Sequence, residues 1–178
     1  MIRPCEPAQL DDICALVNDA AEAYRGVIAA DCWNEPYMSI DALRREVDDG
    51  VRFWGFFDDG QLLGVMGLQH VGEVALVRHA YTRTAKQGAG IGAALLAHLR
   101  DETDRPMLVG TWKAATWAIR FYERRGFRLV TASQKDGLLR RYWTVSVRQM
   151  AESVVLADAR WFARSSPEAP DRHDRRGA

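Results

Sequence analysis

Apolar positions along the chain change period, and each change predicts an element. Ile2 and Arg3 read as a short first strand before Pro4. Asp11 and Asp12 open a helix whose Ile13, Leu16, Val17, Ala20 and Tyr24 recur on one face. Residues 25–38 follow neither the helical nor the strand period and are expected as a long loop. Ser39 is placed to cap a second helix carrying Ile40, Leu43 and Val47, with Gly50 at its end. The period then shortens. Residues 51–57 are apolar and aromatic on both faces, as in an inner strand. Asp59-Gly60 predicts a hairpin turn, residues 61–70 the returning strand, and residues 73–82 a fourth strand.

A glycine-rich turn follows, then a helix with Ile91, Ala94, Leu95 and Leu99 together, stopped by Pro106. Residues 107–112 predict a fifth strand. A helix carrying Ala118, Phe121 and Tyr122 ends at Gly126, and residues 127–131 predict a sixth strand. Residues 138–143 fit a short helix or an extended segment equally well, and residues 153–157 predict a last strand. Beyond Arg164 the sequence turns polar and proline-containing. The expected layout is a domain over residues 1–160 and a disordered tail over 161–178. Trp54 and Trp112 are expected in the core.

Composition narrows the function. Basic and acidic residues balance at 24 each, so there is no cationic excess for a nucleic acid. The opening residues lack a basic stretch followed by an apolar one, so no signal peptide is expected. No apolar run approaches the roughly 18 residues of a membrane span. Cys5, Cys14 and Cys32 are odd in number and without metal-binding spacing. They are expected as free thiols in a reducing cytoplasm, with no metal site.

The most informative segment is Gln87-Gly88-Ala89-Gly90-Ile91-Gly92, between a strand and an amphipathic helix. The first amides of a helix have no partner within it, and glycines let an anion approach them closely. The helix dipole adds to the attraction. Three uses fit such a turn: a dinucleotide site, a structural tight turn, or the pyrophosphate of coenzyme A. The dinucleotide pattern Gly88-x-Gly90-x-x-Ala93 lacks the acidic residue that should close the next strand, residues 107–112. No Gly-Lys-Ser/Thr follows, which excludes a P-loop.

Two segments together resemble the GNAT acyltransferases. Gln87-x-x-Gly90-x-Gly92 is similar to the family's pyrophosphate motif. The run from Ala118 through Phe121-Tyr122 to Gly126-Phe127 is similar to its second motif, and the opening residues look like its first strand and helix. The resemblance implies an α/β single domain with a mixed, mostly antiparallel sheet of about seven strands, flanked by helices and splayed between strands four and five. It implies acetyl-CoA as cosubstrate, held by Gln87, Gly88, Ala89, Gly90, Ile91 and Gly92, with backbone near Tyr81 and Thr82 pairing to its pantetheine arm. It also implies Tyr122 as the general acid beside the sulfur. Three positions depart from the family pattern: Ala115 stands where asparagine is frequent, Thr84 where proline is, and Leu76 where histone-type members carry a glutamate base.

An amine must lose a proton to attack a thioester. His79 on the fourth strand is the candidate base, with Glu73 and His70 as others. Asp31, Trp33, Glu35 and Tyr37 interleave carboxylates with aromatics, which suits an ammonium acceptor. The expected activity is N-acyl transfer to an amine by a monomer or homodimer. An acyl-CoA-binding sensor without catalysis is the alternative, and a nucleotide-binding protein a more distant one.

Overall fold

The computed structural model describes residues 1–165. Seven strands form one sheet in the order β1-β2-β3-β4-β5-β7-β6. They are β1 Ile2–Pro4, β2 Arg52–Asp58, β3 Gln61–Val71, β4 Val74–Thr82, β5 Met107–Trp112, β6 Arg128–Leu129 and β7 Ser153–Ala157. All neighbours run antiparallel except β4 and β5. The Asp59-Gly60 hairpin forms as its sequence requires, with φ of 44° and 77° at the two turn residues.

Helices cover both faces. On one face lie α1 (Leu10–Ala21) and α2 (Ile40–Asp48). Ile13, Leu16, Val17 and Leu43 pack there on Phe53, Phe57, Leu62 and Val65. Ser39 caps α2 by accepting from the Ala42 amide at 3.1 Å. On the other face lie α3 (Ile91–Asp101) and α4 (Thr116–Glu123), whose Ile91, Leu95, Leu96, Leu99 and Tyr122 meet Trp54, Leu63, Met66, Leu68 and Val109. Each fully buried leucine there contributes about 1.5–3 kcal/mol. β4 serves both layers by alternation: Ala75 and Val77 face α3, while Val74 and Leu76 face the opposite side.

The end of the chain differs from the sequence expectation. The sixth strand shrinks to Arg128–Leu129, because Thr131 starts a helix, α5 (Ala132–Tyr142), through a capping box with Gln134. Residues 138–142 therefore belong to a helix, and Trp143 leaves it in an extended conformation. Two further helices, α6 (Val147–Ala151) and α7 (Ala159–Ser165), also form. In α7, Trp161 and Phe162 pack on the Leu76–Leu108 cluster, so the expected boundary at residue 160 falls inside a docked helix. The rest of the expected tail lies outside the described residues.

The feature that positions the site is a splay in the sheet. β4 and β5 pair only from Ala75↔Met107 to Val77↔Val109. Beyond Val77, β4 continues to Thr82 without β5, and the two strands part around an open cleft. Burying such an edge unpaired would be costly, and here the cleft leaves it open.

Candidate active site

Two cavities open on the splay. The first, about 570 Å³, lies on the α3–α4 side. It is lined by Tyr81, Thr82, Gln87, Gly88, Gly90, Ile91 and Gly92, together with Tyr122 and Thr111. The second, about 530 Å³, lies on the α2 side and includes Asp31, Tyr37, Glu46, Arg78, Trp112 and Trp143. Tyr24, Val77, His79, Tyr81, Gly110 and Thr111 line both, so the cavities adjoin across the gap between the strands.

The glycine turn leaves several main-chain donors open. Gly88 and Gly90 have φ of 83° and 81°, a left-handed conformation that side chains resist. Among the described residues, no backbone carbonyl accepts from the amides of Gly88, Gly90, Ile91, Gly92 or Ala93; the first α3 amide so bonded is that of Ala94, to Gly90 at 3.0 Å. The free amides cluster at the positive end of α3. Ala89 stands apart from the expected set: it does not line the cavity, and its amide donates to Lys86 at 3.4 Å. Lys86, Arg124 and Arg125 also line this cavity, and sequence reasoning did not single them out. Their signal was adjacency, since Lys86 precedes Gln87 and the two arginines follow Tyr122 within the second motif. Arg125 is held in place by Phe121, donating to its carbonyl at 2.8 Å and lying 3.9 Å over its ring.

Tyr122 is 4% exposed, between Phe121 and Phe127 with ring centroids at 5.0 and 5.5 Å. Burial raises its phenol well above the usual value, with Tyr24 adding to the rise and Arg125 offsetting part of it. The hydroxyl therefore stays protonated at neutral pH. Ala115 is fully buried among Trp112, Ala118 and Ile28, so an apolar contact stands where the family pattern has an amide side chain.

His79 sits where the strand is irregular. The β3–β4 register slips between Val65 and Gly67, and His79 has φ of 47°. A regular strand would send Arg78 and His79 to opposite faces. The bulge instead brings both to Glu46 of α2, whose Oε2 lies 2.6 Å from Arg78 Nη2 and 2.7 Å from His79 Nε2. Burial works to raise the Glu46 carboxyl, but the hydrogen bond and charge of His79, with Arg78, outweigh it and hold the group below its usual range. Glu46 was legible only indirectly, as the residue three after the buried Leu43. The other candidate bases lie elsewhere. His70 bonds Thr103 Oγ1 at 3.2 Å, and Glu73 is taken by Tyr142 and Arg141; neither lines a cavity.

The loop residues expected around an ammonium divide between the cavity wall and its outside, although Trp33 touches both Tyr37, at 5.4 Å between ring centroids, and Glu35, whose Oε2 accepts from its Nε1 at 3.2 Å. Asp31 and Tyr37 line the second cavity, whereas Trp33 and Glu35 line neither. Arg25 occupies the place foreseen for the ligand, lying 4.4 Å over the Trp33 ring and 2.9 Å from Glu35. Asp31 pairs with Arg148 of α6 at 2.7 Å, and that hydrogen bond holds its carboxyl low. Tyr37 accepts from Trp112 Nε1 at 3.0 Å, so Trp112 is both buried and part of the cavity wall, while Trp54 is in the core as expected. Residues from α5, α6 and their connection, including Trp143, Ser146 and Arg148, supply the remaining wall. Trp143 packs over Gly110, within 3.5 Å of where a Cβ would stand. No group of side chains suited to a metal ion occurs among the described residues, and no helix there is long and apolar enough to cross a membrane.

The model of the acetyltransferase (GNAT) domain family matches residues 18–140. Solved structures share the fold at low identity. PaiA N-acetyltransferase from Thermoplasma acidophilum, in complex with coenzyme A, is 16% identical with a TM-score of 0.67, over 89% of this chain and 97% of its own. The ribosomal-protein-S18-alanine N-acetyltransferase from Escherichia coli is 16% identical with a TM-score of 0.65, over 98% and 99%. N-acetylglutamate synthase from Neisseria gonorrhoeae, complexed with coenzyme A and N-acetyl-glutamate, is 18% identical with a TM-score of 0.61, over 89% of this chain and 34% of its own. No curated protein sequence is significantly similar to the chain.

Proposed function

Since the chain belongs to the GNAT acetyltransferase family, we propose that it transfers an acetyl group from acetyl-CoA to a primary amine of a small molecule or peptide, by direct attack in a ternary complex. One observation carries this reading. The cavity holding the glycine turn and Tyr122 meets a second cavity in the splay, at His79. Two substrates entering from opposite faces of the sheet would meet there.

The pyrophosphate of CoA would take the free amides of Gly88 and Gly90 to Ala93, with Lys86, Arg124 and Arg125 supplying counter-charge. The pantetheine amides would pair with the β4 edge at Tyr81 and Thr82, which β5 leaves open. The amine would enter through the second cavity, past Asp31 and Tyr37. Its nitrogen attacks the thioester carbonyl carbon and gives up a proton to His79. The tetrahedral intermediate then collapses, breaking the carbon–sulfur bond, and the departing sulfur takes the proton of Tyr122; His79 then releases its proton to solvent and Tyr122 takes one back, so the enzyme ends unchanged. The products are the N-acetyl amine and free CoA. Holding both reactants across one gap lowers the entropic part of the barrier.

Incubation with acetyl-CoA and a panel of amines tests the reading, with free thiol and product mass as readouts. Amine-dependent thiol release, with an acetylated product, supports it. CoA binding without thiol release above background across the panel would contradict transfer and leave an acyl-CoA sensor.

A further inference from the structure

The geometry points to Glu46 as the positioning residue for His79: its carboxylate holds the Nε2–H of the ring, so that the lone pair on Nδ1 faces the incoming amine. This rests on the reading of His79 as the base. An ionised carboxylate can only accept hydrogen bonds. The 2.7 Å contact between Glu46 Oε2 and His79 Nε2 therefore fixes the proton on Nε2 in the neutral ring. Nδ1 is then the proton acceptor. His79 lines both cavities, and their junction is where an amine and a thioester would meet.

The surrounding groups fit a positioning role. Arg78 donates to the same Glu46 oxygen at 2.6 Å, so the carboxylate is compensated without requiring a second proton on His79. Arg78 is fixed by Gln69, whose Oε1 accepts at 2.7 Å, and Gln69 in turn donates to the Asp49 carbonyl at 2.9 Å. Phe53 and Tyr81 flank the ring at 5.8 and 6.4 Å between centroids. The charged and titratable groups facing His79 are thus Glu46 from α2 and Arg78 and Tyr81 from β4. His79 holds φ of 47°, a conformation that a non-glycine residue keeps only where its surroundings enforce it, and the Glu46 contact is such a constraint. A clamp that only fastened α2 to the sheet would leave the pH dependence of turnover unchanged when its charge is removed.

The test compares Glu46→Gln and His79→Gln with the unaltered chain, and adds nitrogen-15 spectra of the His79 ring in the unaltered chain. His79→Gln should lower kcat about 100-fold. Glu46→Gln should lower kcat about ten- to a hundredfold at an unchanged KM for acetyl-CoA. Removing the negative charge beside His79 should also change the pH profile of kcat/KM, which loss of a purely structural clamp would not. The spectra should show the proton on Nε2. If Glu46→Gln leaves kcat and the pH profile in place while His79→Gln is slow, the positioning role is wrong and the base survives. If His79→Gln turns over normally, the base reading fails and this inference with it. A neutral ring protonated on Nδ1 overturns the inference even should either variant fail to fold.

Discussion

Gly64 of β3 lies so close to Ile91, the first residue of α3, that a Cβ at Gly64 would stand 2.4 Å from Ile91 Cγ2. Ile91 is at once a core side chain and one of the free amides at the cavity. The approach of strand to helix thus sets where those amides sit. Gly64→Ala should push α3 outward and cost about 1–3 kcal/mol. Thermal unfolding should show the loss, and calorimetry about a tenfold weaker CoA affinity. Ile91→Ala removes Cγ2, so the double variant should lose less of both than the two single changes summed, since the two sites are in contact.

Gly90 tests conformation separately from packing. A Cβ there would meet nothing within 4 Å, yet φ is 81°. Gly90→Ala should cost roughly 1–2 kcal/mol of backbone strain alone. The variant should bind CoA about tenfold more weakly if the loop relaxes away from that conformation, and titration with CoA checks this.

Tyr122→Phe removes one hydroxyl and keeps the ring between Phe121 and Phe127. Turnover at saturating substrates should fall about 100-fold. Affinity for CoA should stay near that of the unaltered chain. Stopped-flow thiol release and calorimetry read the two effects independently, and unchanged turnover would remove Tyr122 from the chemistry.

Glu46 gives a pH dependence of stability with a definite sign. Its folded carboxyl is held below its usual value of 4.5 against the opposing effect of burial. A depressed carboxyl stabilises the fold above the unfolded value, and the contribution is lost as pH falls through the folded value. Melting curves of the chain and of Glu46→Gln should therefore differ near neutral pH and converge as pH drops below 4.5. A gap that widens on acidification would mean the opposite sign.

Much of the fold was legible because it rests on local pattern. The Asp59-Gly60 turn, the α3 stripe of Ile91, Leu95 and Leu99, and the Gly126 stop are each fixed by neighbours in sequence. The segment from residue 132 to residue 151 was not. Its helices depend on the Thr131 and Ser146 caps and on burying Leu139 and Met150 against Val155, a contact that periodicity does not reveal. In the site, the glycine turn and Tyr122 were readable as motifs. The partnership of Glu46 with Arg78 and His79 was hidden, because it needs a bulge that turns two successive residues toward one helix. The loop aromatics were legible only in part: spacing placed Trp33 near a carboxylate, Glu35, but could not show that Arg25 already lies on its ring.

The most direct measurement is a pair of calorimetric titrations, one with CoA and one with pantetheine, which lacks the diphosphate. If the unsatisfied amides of Gly88 and of Gly90 to Ala93 grip that diphosphate, CoA should bind with measurable heat, and pantetheine about 100-fold more weakly or not at all. Equal affinity for the two, or no heat from CoA, would contradict it.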